Sequence, residues 1–151
     1  MENQWDTLDR SLTKTMRKLG KPALQISYAL IFIWFGILKP LGLSPAEGLL
    51  KKTVAWLPFG SPDVWLHLIG YWEVLIGVFF LFKPTYRVAI GLLFLQMVGT
   101  FMPLVFLPEV TFQNGNPLQL TLEGQYIIKN VMIISAALVL GGDLYKRSKV
   151  V

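Results

Sequence analysis

Lys39, Glu73, Gln96 and Lys129 interrupt, or lie at the rim of, four long apolar runs. A charged side chain at the centre of a bilayer costs roughly 2.5–3.5 kcal/mol on insertion scales, so each needs a partner or a use. Glu73 lies between Gly70 and Gly77 on one helical face, which is narrow and polar and suited to packing against other helices. At a rise of ~1.5 Å per residue it falls near mid-membrane. Gln96, Gly99, Thr100 and Pro103 share a face of the third run, Lys39 lies near the end of the first, and Lys129 a short way into the fourth. Each run thus sends one polar group towards a similar level. Two chemistries are open. Glu73 can pair with Lys39 or Lys129, with Gln96 completing a hydrogen-bond network that fixes helix order. Alternatively the cluster lines a cavity for a small polar, anionic or quinone-like ligand, where two lysines favour an anion and a protonated Glu73 would move protons. His67, near the start of the second run, is either an interfacial hydrogen-bonder or a ligand or proton-relay group.

Other chemistries are absent from the chain. With no cysteine there is no disulfide, thiol redox centre, Fe–S cluster or thiolate metal site, and one histidine is too few for a bis-histidine haem. The five methionines are scattered and read as packing. The net charge of +5 does not gather in one basic patch, which argues against nucleic acid.

The elements that carry these residues follow from hydropathy. Of 151 residues, 54% are hydrophobic and 15% charged, and the mean hydropathy is +0.54. A soluble domain of that length needs a more polar shell, so the surplus apolar surface faces lipid. Spans are expected at about 22–41, 62–82, 86–107 and 122–140, each about the 20 residues that cross a bilayer. The expected architecture is an all-α, integral membrane four-helix bundle, one domain over 1–151. Ser61-Pro62-Asp63 supplies an N-cap, a first-turn proline and an acid for the helix dipole. Lys83-Pro84 and Gly141-Gly142 are expected to stop the second and fourth spans.

Lysine and arginine collect on one side, in Arg10, Lys14, Arg17, Lys18, Lys21, Lys83, Arg87, Lys146, Arg147 and Lys149. The positive-inside rule then puts both termini in the cytoplasm. Trp56 and Trp65 would mark the outer boundary, Tyr86 and Tyr145 the inner one. About twenty polar residues precede the first span and no small-residue cleavage site follows it, unlike a signal peptide. Within 1–21, Trp5, Leu8, Leu12, Met16 and Leu19 recur at helical spacing with the basic residues largely off that stripe, a cytoplasmic amphipathic helix suited to an anionic leaflet. Outside, Ser44-Pro45-Ala46-Glu47 reads as a capping box opening a short surface helix between spans one and two. The segment from Glu109 to Glu123 is a longer loop with turns at Asn-Gly and Asn-Pro. Pro40-Leu41 and Pro45 match Pro103-Leu104 and Pro108 in spacing, as in a parallel repeat of two helix pairs.

Three segments resemble the DoxX-like membrane proteins: Phe32 to Pro40 followed by Ser44-Pro45, then Gly70-Tyr71-Trp72-Glu73-Val74-Leu75-Ile76-Gly77, and Leu120 to Asn130. The likeness runs from Arg10 to Leu140 and is closest to a branch linked to resistance to reactive chlorine and oxygen species. It implies a four-helix protein of the bacterial inner membrane, with Lys39, Glu73 and Lys129 as its polar residues. Some relatives are named as quinone-linked oxidoreductase or quinol oxidase subunits. The expectation is therefore an accessory, non-catalytic component. A quinone, a membrane protein partner or a second copy of the chain would join it in the bilayer. A small-solute transporter and a purely structural subunit are the alternatives.

Overall fold

A computed structural model describes the backbone of residues 4–147 and the side chains of 5–142. The side chains of Tyr145, Lys146 and Arg147, and all of Lys149, lie outside the described residues. The chain runs through α1 (Gln4–Leu38), α2 (Glu47–Val54), α3 (Pro62–Leu81), α4 (Tyr86–Phe101), α5 (Pro103–Phe106) and α6 (Pro108–Thr111). A β-hairpin of β1 (Phe112–Gln113) and β2 (Asn116–Leu120) follows, and then α7 (Leu122–Arg147). Among the described residues, four stretches are long and apolar enough to cross a membrane: Trp5–Leu38 of α1, α3, Lys83–Phe106 and the first 21 residues of α7. The protein is thus a multi-pass, largely α-helical membrane protein.

The four long helices form a closed ring, with α1 against α3, α3 against α4, α4 against α7 and α7 back against α1. Tyr28, Phe32, Ile76, Phe80, Ala89, Leu93, Met97, Ala137 and Leu140 fill its centre. Tyr28 stacks on Phe80 with ring centroids 4.6 Å apart, and its hydroxyl donates to the Ile133 carbonyl, joining α1 to α7. The Trp72 indole N–H donates to the Leu92 carbonyl at 3.3 Å and ties α3 to α4. Lipid is as apolar as these side chains, so close packing and such hydrogen bonds hold the ring together.

Several boundaries differ from those expected. The amphipathic segment and the first span are one continuous helix of 35 residues with Pro22 inside it. At ~1.5 Å per residue it is roughly 50 Å long, well beyond a ~30 Å hydrocarbon core. Gly141-Gly142 does not end the last helix, which continues to Arg147. Glycine costs only about 1 kcal/mol in a helix interior, and the basic residues after it suit the negative end of the dipole. The third span is broken at Met102, because Pro103 has no N–H to continue the ladder.

The surface helix exists, but its capping box does not form. The Ser44 hydroxyl accepts from the nearby Ala46 N–H at 3.3 Å, and Glu47 pairs instead with Lys51 at 2.6 Å. The loop after the third span is not wholly irregular. Asn114 and Gly115, with φ of 52° and 70°, make the two left-handed turn residues of a tight hairpin. This adds a small two-stranded sheet to the expected all-α fold. Tyr86 is buried against Phe80, with centroids 6.0 Å apart. The matched prolines do hold similar places: Pro40 and Pro103 follow the ends of α1 and α4, and Pro45 and Pro108 lead into α2 and α6.

Candidate functional site

Three of the expected polar residues meet. Lys39 lies in the turn that closes α1, where Gly42 N–H donates to the Lys39 carbonyl at 3.1 Å and Leu43 N–H to the Leu38 carbonyl at 2.9 Å. Gly42 allows this turn because its φ is +68°. From there the Lys39 side chain folds back along the helix and is buried. Its Nζ donates to the Phe35 carbonyl at 3.3 Å and forms an ion pair with Glu73 Oε2. Gln96 Nε2 donates to the other carboxylate oxygen, Glu73 Oε1, at 2.9 Å. Thr100 Oγ1 donates to the Gln96 carbonyl at 3.1 Å, one turn along the same face. The triad therefore joins α1, α3 and α4 at one point.

Glycine makes that meeting possible. A Cβ on Gly70 would lie 2.8 Å from the Gly36 carbonyl oxygen and 2.9 Å from Lys39 Cβ, and one on Gly77 would lie 2.9 Å from the Ile33 nitrogen. Only there can α3 approach α1 backbone to backbone and bring Glu73 to Lys39. The side chains of Lys39 and Glu73 keep 7% and 14% exposure, so the pair is largely withdrawn from its surroundings. At the same end of the bundle, α2 packs on α3, and Trp56 just after it stands 5.7 Å from Phe106 of α5. Lys51 bridges Glu47 and Asp63, each at 2.6 Å, and so pins α2 to the first turn of α3. Hydrogen bonds to Asp63 and then to Glu47 hold the Lys51 ammonium above its ordinary pKa.

Two expected site residues do not join. Lys129 is exposed, with Nζ 5.0 Å from the centroid of the Tyr126 ring one turn before it. Ile127, about 200° around the helix from Lys129, faces the core at that level. His67 is also exposed, with Nδ1 2.7 Å from the Asp63 carbonyl oxygen. No group of three or more His, Asp or Glu side chains gathers as a metal site among the described residues.

Other positioning groups had weaker signals in the sequence. Ala29 and Gly36 on α1, like Gly70 and Gly77 on α3, recur at a spacing of seven, the repeat of small residues at a close helix crossing. The Phe35 carbonyl that receives Lys39 is backbone, and side-chain types cannot announce it. Comparison with family models, with curated proteins and with solved structures finds no match. Fold and site together define a multi-pass helical membrane protein with a lysine–glutamate–glutamine triad inside its bundle.

Proposed function

We propose that this chain is an accessory, non-catalytic membrane component of the DoxX-like type. It serves quinone-linked redox chemistry or oxidative-stress defence through a quinone-like lipid or a partner redox subunit. The observation that carries this reading is the Lys39–Glu73–Gln96 triad. Replacing a buried ion pair by apolar side chains is often neutral or stabilising, so packing alone does not account for one held in a bundle this small. Lys39 carries three ammonium protons and directs two of its bonds to Phe35 and Glu73. A polar head group entering beneath α2 would take a further Lys39 proton or displace Gln96. The resemblance implies the bacterial inner membrane as the setting, and the charge distribution puts both termini in the cytoplasm and the triad in the outer half.

Native mass spectrometry of protein released in mild detergent, with lipid extraction of the same sample, tests this. A stoichiometric small molecule or protein bound to the wild type, and lost from a folded Glu73→Gln variant, supports it. Bare protein in both cases removes its main support. A purely structural subunit is the second reading, favoured because both Glu73 oxygens are already satisfied within the chain. A transporter has less behind it, since the helix break at Met102 falls near the end of α4 and not at mid-membrane.

A further inference from the structure

We infer that residues 5–21 of α1 dock on the anionic leaflet of the membrane that the bundle spans, swinging away from the span at Gly20–Pro22. All side chains of 5–23 are exposed. Gln25 Nε2 donates to the Leu81 carbonyl at 3.4 Å, which marks the level where α3 ends. Leu24 still packs on the core, and residues 5–23 before it overhang the bundle by roughly 30 Å of helix.

The overhang has two faces. Trp5, Leu8, Leu12, Met16 and Leu19 form one stripe, each more than half exposed. Arg10, Lys14, Arg17, Lys18 and Lys21 populate the opposite side, against only Asp6 and Asp9. An apolar stripe of this length is covered by lipid, by a second copy or by another protein. Two copies side by side would double a like charge within about a Debye length, ~10 Å at ordinary salt. An anionic leaflet meets both faces at once, taking the stripe into the acyl boundary and the cations among its phosphates. The joint required is also present. Pro22 offers no N–H to the Lys18 carbonyl, and a side chain at Gly20 would meet nothing within 4 Å, so the helix bends most readily just outside the bundle.

The chain has no cysteine, so Leu12→Cys can carry a single environment-sensitive fluorophore in the full protein. The labelled protein is reconstituted in vesicles of phosphatidylcholine alone and of phosphatidylcholine mixed with phosphatidylglycerol. The expected result is a blue-shifted emission quenched from within the lipid, in the mixed vesicles only, and reversed by high salt. Adding Lys14→Gln, Arg17→Gln and Lys18→Gln lowers the docked-to-free ratio about fivefold per cation, roughly a hundredfold together. A fluorophore quenched from water in both vesicles overturns the inference. So does burial that ignores lipid charge and follows protein density in the bilayer, which would identify a second copy as the cover.

Discussion

Gly36 and Gly70 face each other across the crossing of α1 and α3, each so close that a Cβ added to one would lie 2.8 Å from the other's carbonyl oxygen. That approach places Lys39, just beyond the end of α1, against Glu73, one turn further along α3. The close α1–α3 crossing and the Lys39–Glu73 ion pair are therefore one construction.

Substitutions at glycine should accordingly separate into two kinds. Gly70→Ala forces backbone apart and should destabilise the protein by about 1–3 kcal/mol, the usual range for overpacking. Gly91→Ala, in α4 with nothing within 4 Å of its Cβ, should be neutral or stabilising by up to about 1 kcal/mol through helix propensity. Thermal unfolding of both variants in one detergent compares them directly; equal losses would mean that the crossing is not where stability resides.

The triad should be strongly non-additive. Lys39→Met leaves a buried carboxylate without its cation and should cost about 3–5 kcal/mol, whereas Lys39→Met with Glu73→Leu should return to near wild-type stability or exceed it. Unfolding titrations of the wild type, both single variants and the double variant close the cycle. Additive losses would show that the two charges act separately.

Much of this was legible in the sequence, and the reasons for the rest are physical. Four spans, the surface helix and the polar face of Gly70, Glu73 and Gly77 follow from hydropathy and period. Position along a helix gives depth, which is why the sequence sets Lys39, Glu73, Gln96 and Lys129 at a similar level. Depth does not give rotation. Ile127, Ala137 and Leu140 turn their faces of α7 into the core and leave Lys129 outside, and no local pattern separates these cases. Gly141-Gly142 does not stop α7 for another reason: breakers raise the cost of a helix without setting the total, and flanking helix formers carry it through.

The Lys51 bridge that docks α2 should open in strong alkali. Lys51 has a folded pKa raised above 10.5 by Asp63 and Glu47, so its contribution is fully present below that value and is lost as pH rises through the raised one. Hydrogen-exchange protection factors across Glu47–Val54 should hold through neutral pH and fall beyond 10.5. Lys51→Met should abolish that alkaline step, and a step persisting in the variant would assign it to another group.

The hairpin has its own seat. Gly124 lies so close to the Thr111 carbonyl oxygen that a Cβ there would collide with it, and that same oxygen accepts from Thr121 N–H at 3.0 Å. Gly124→Ala should unseat the 112–120 strap and raise protease cleavage near Leu118, which is already 91% exposed. Cleavage no faster than wild type would show that the strap is held elsewhere.

The order of synthesis gives the Lys39–Glu73 pair a further meaning. Lys39 leaves the ribosome thirty-four residues before Glu73, at the far end of the helix against which α3 will lie. When the acid reaches the insertion machinery, its cation is already in place, and the two helices can enter lipid as a neutralised hairpin. Gln96 arrives one helix later and completes the set. Glu73, a burden on its own in lipid, would thus enter the membrane with its counter-charge already there.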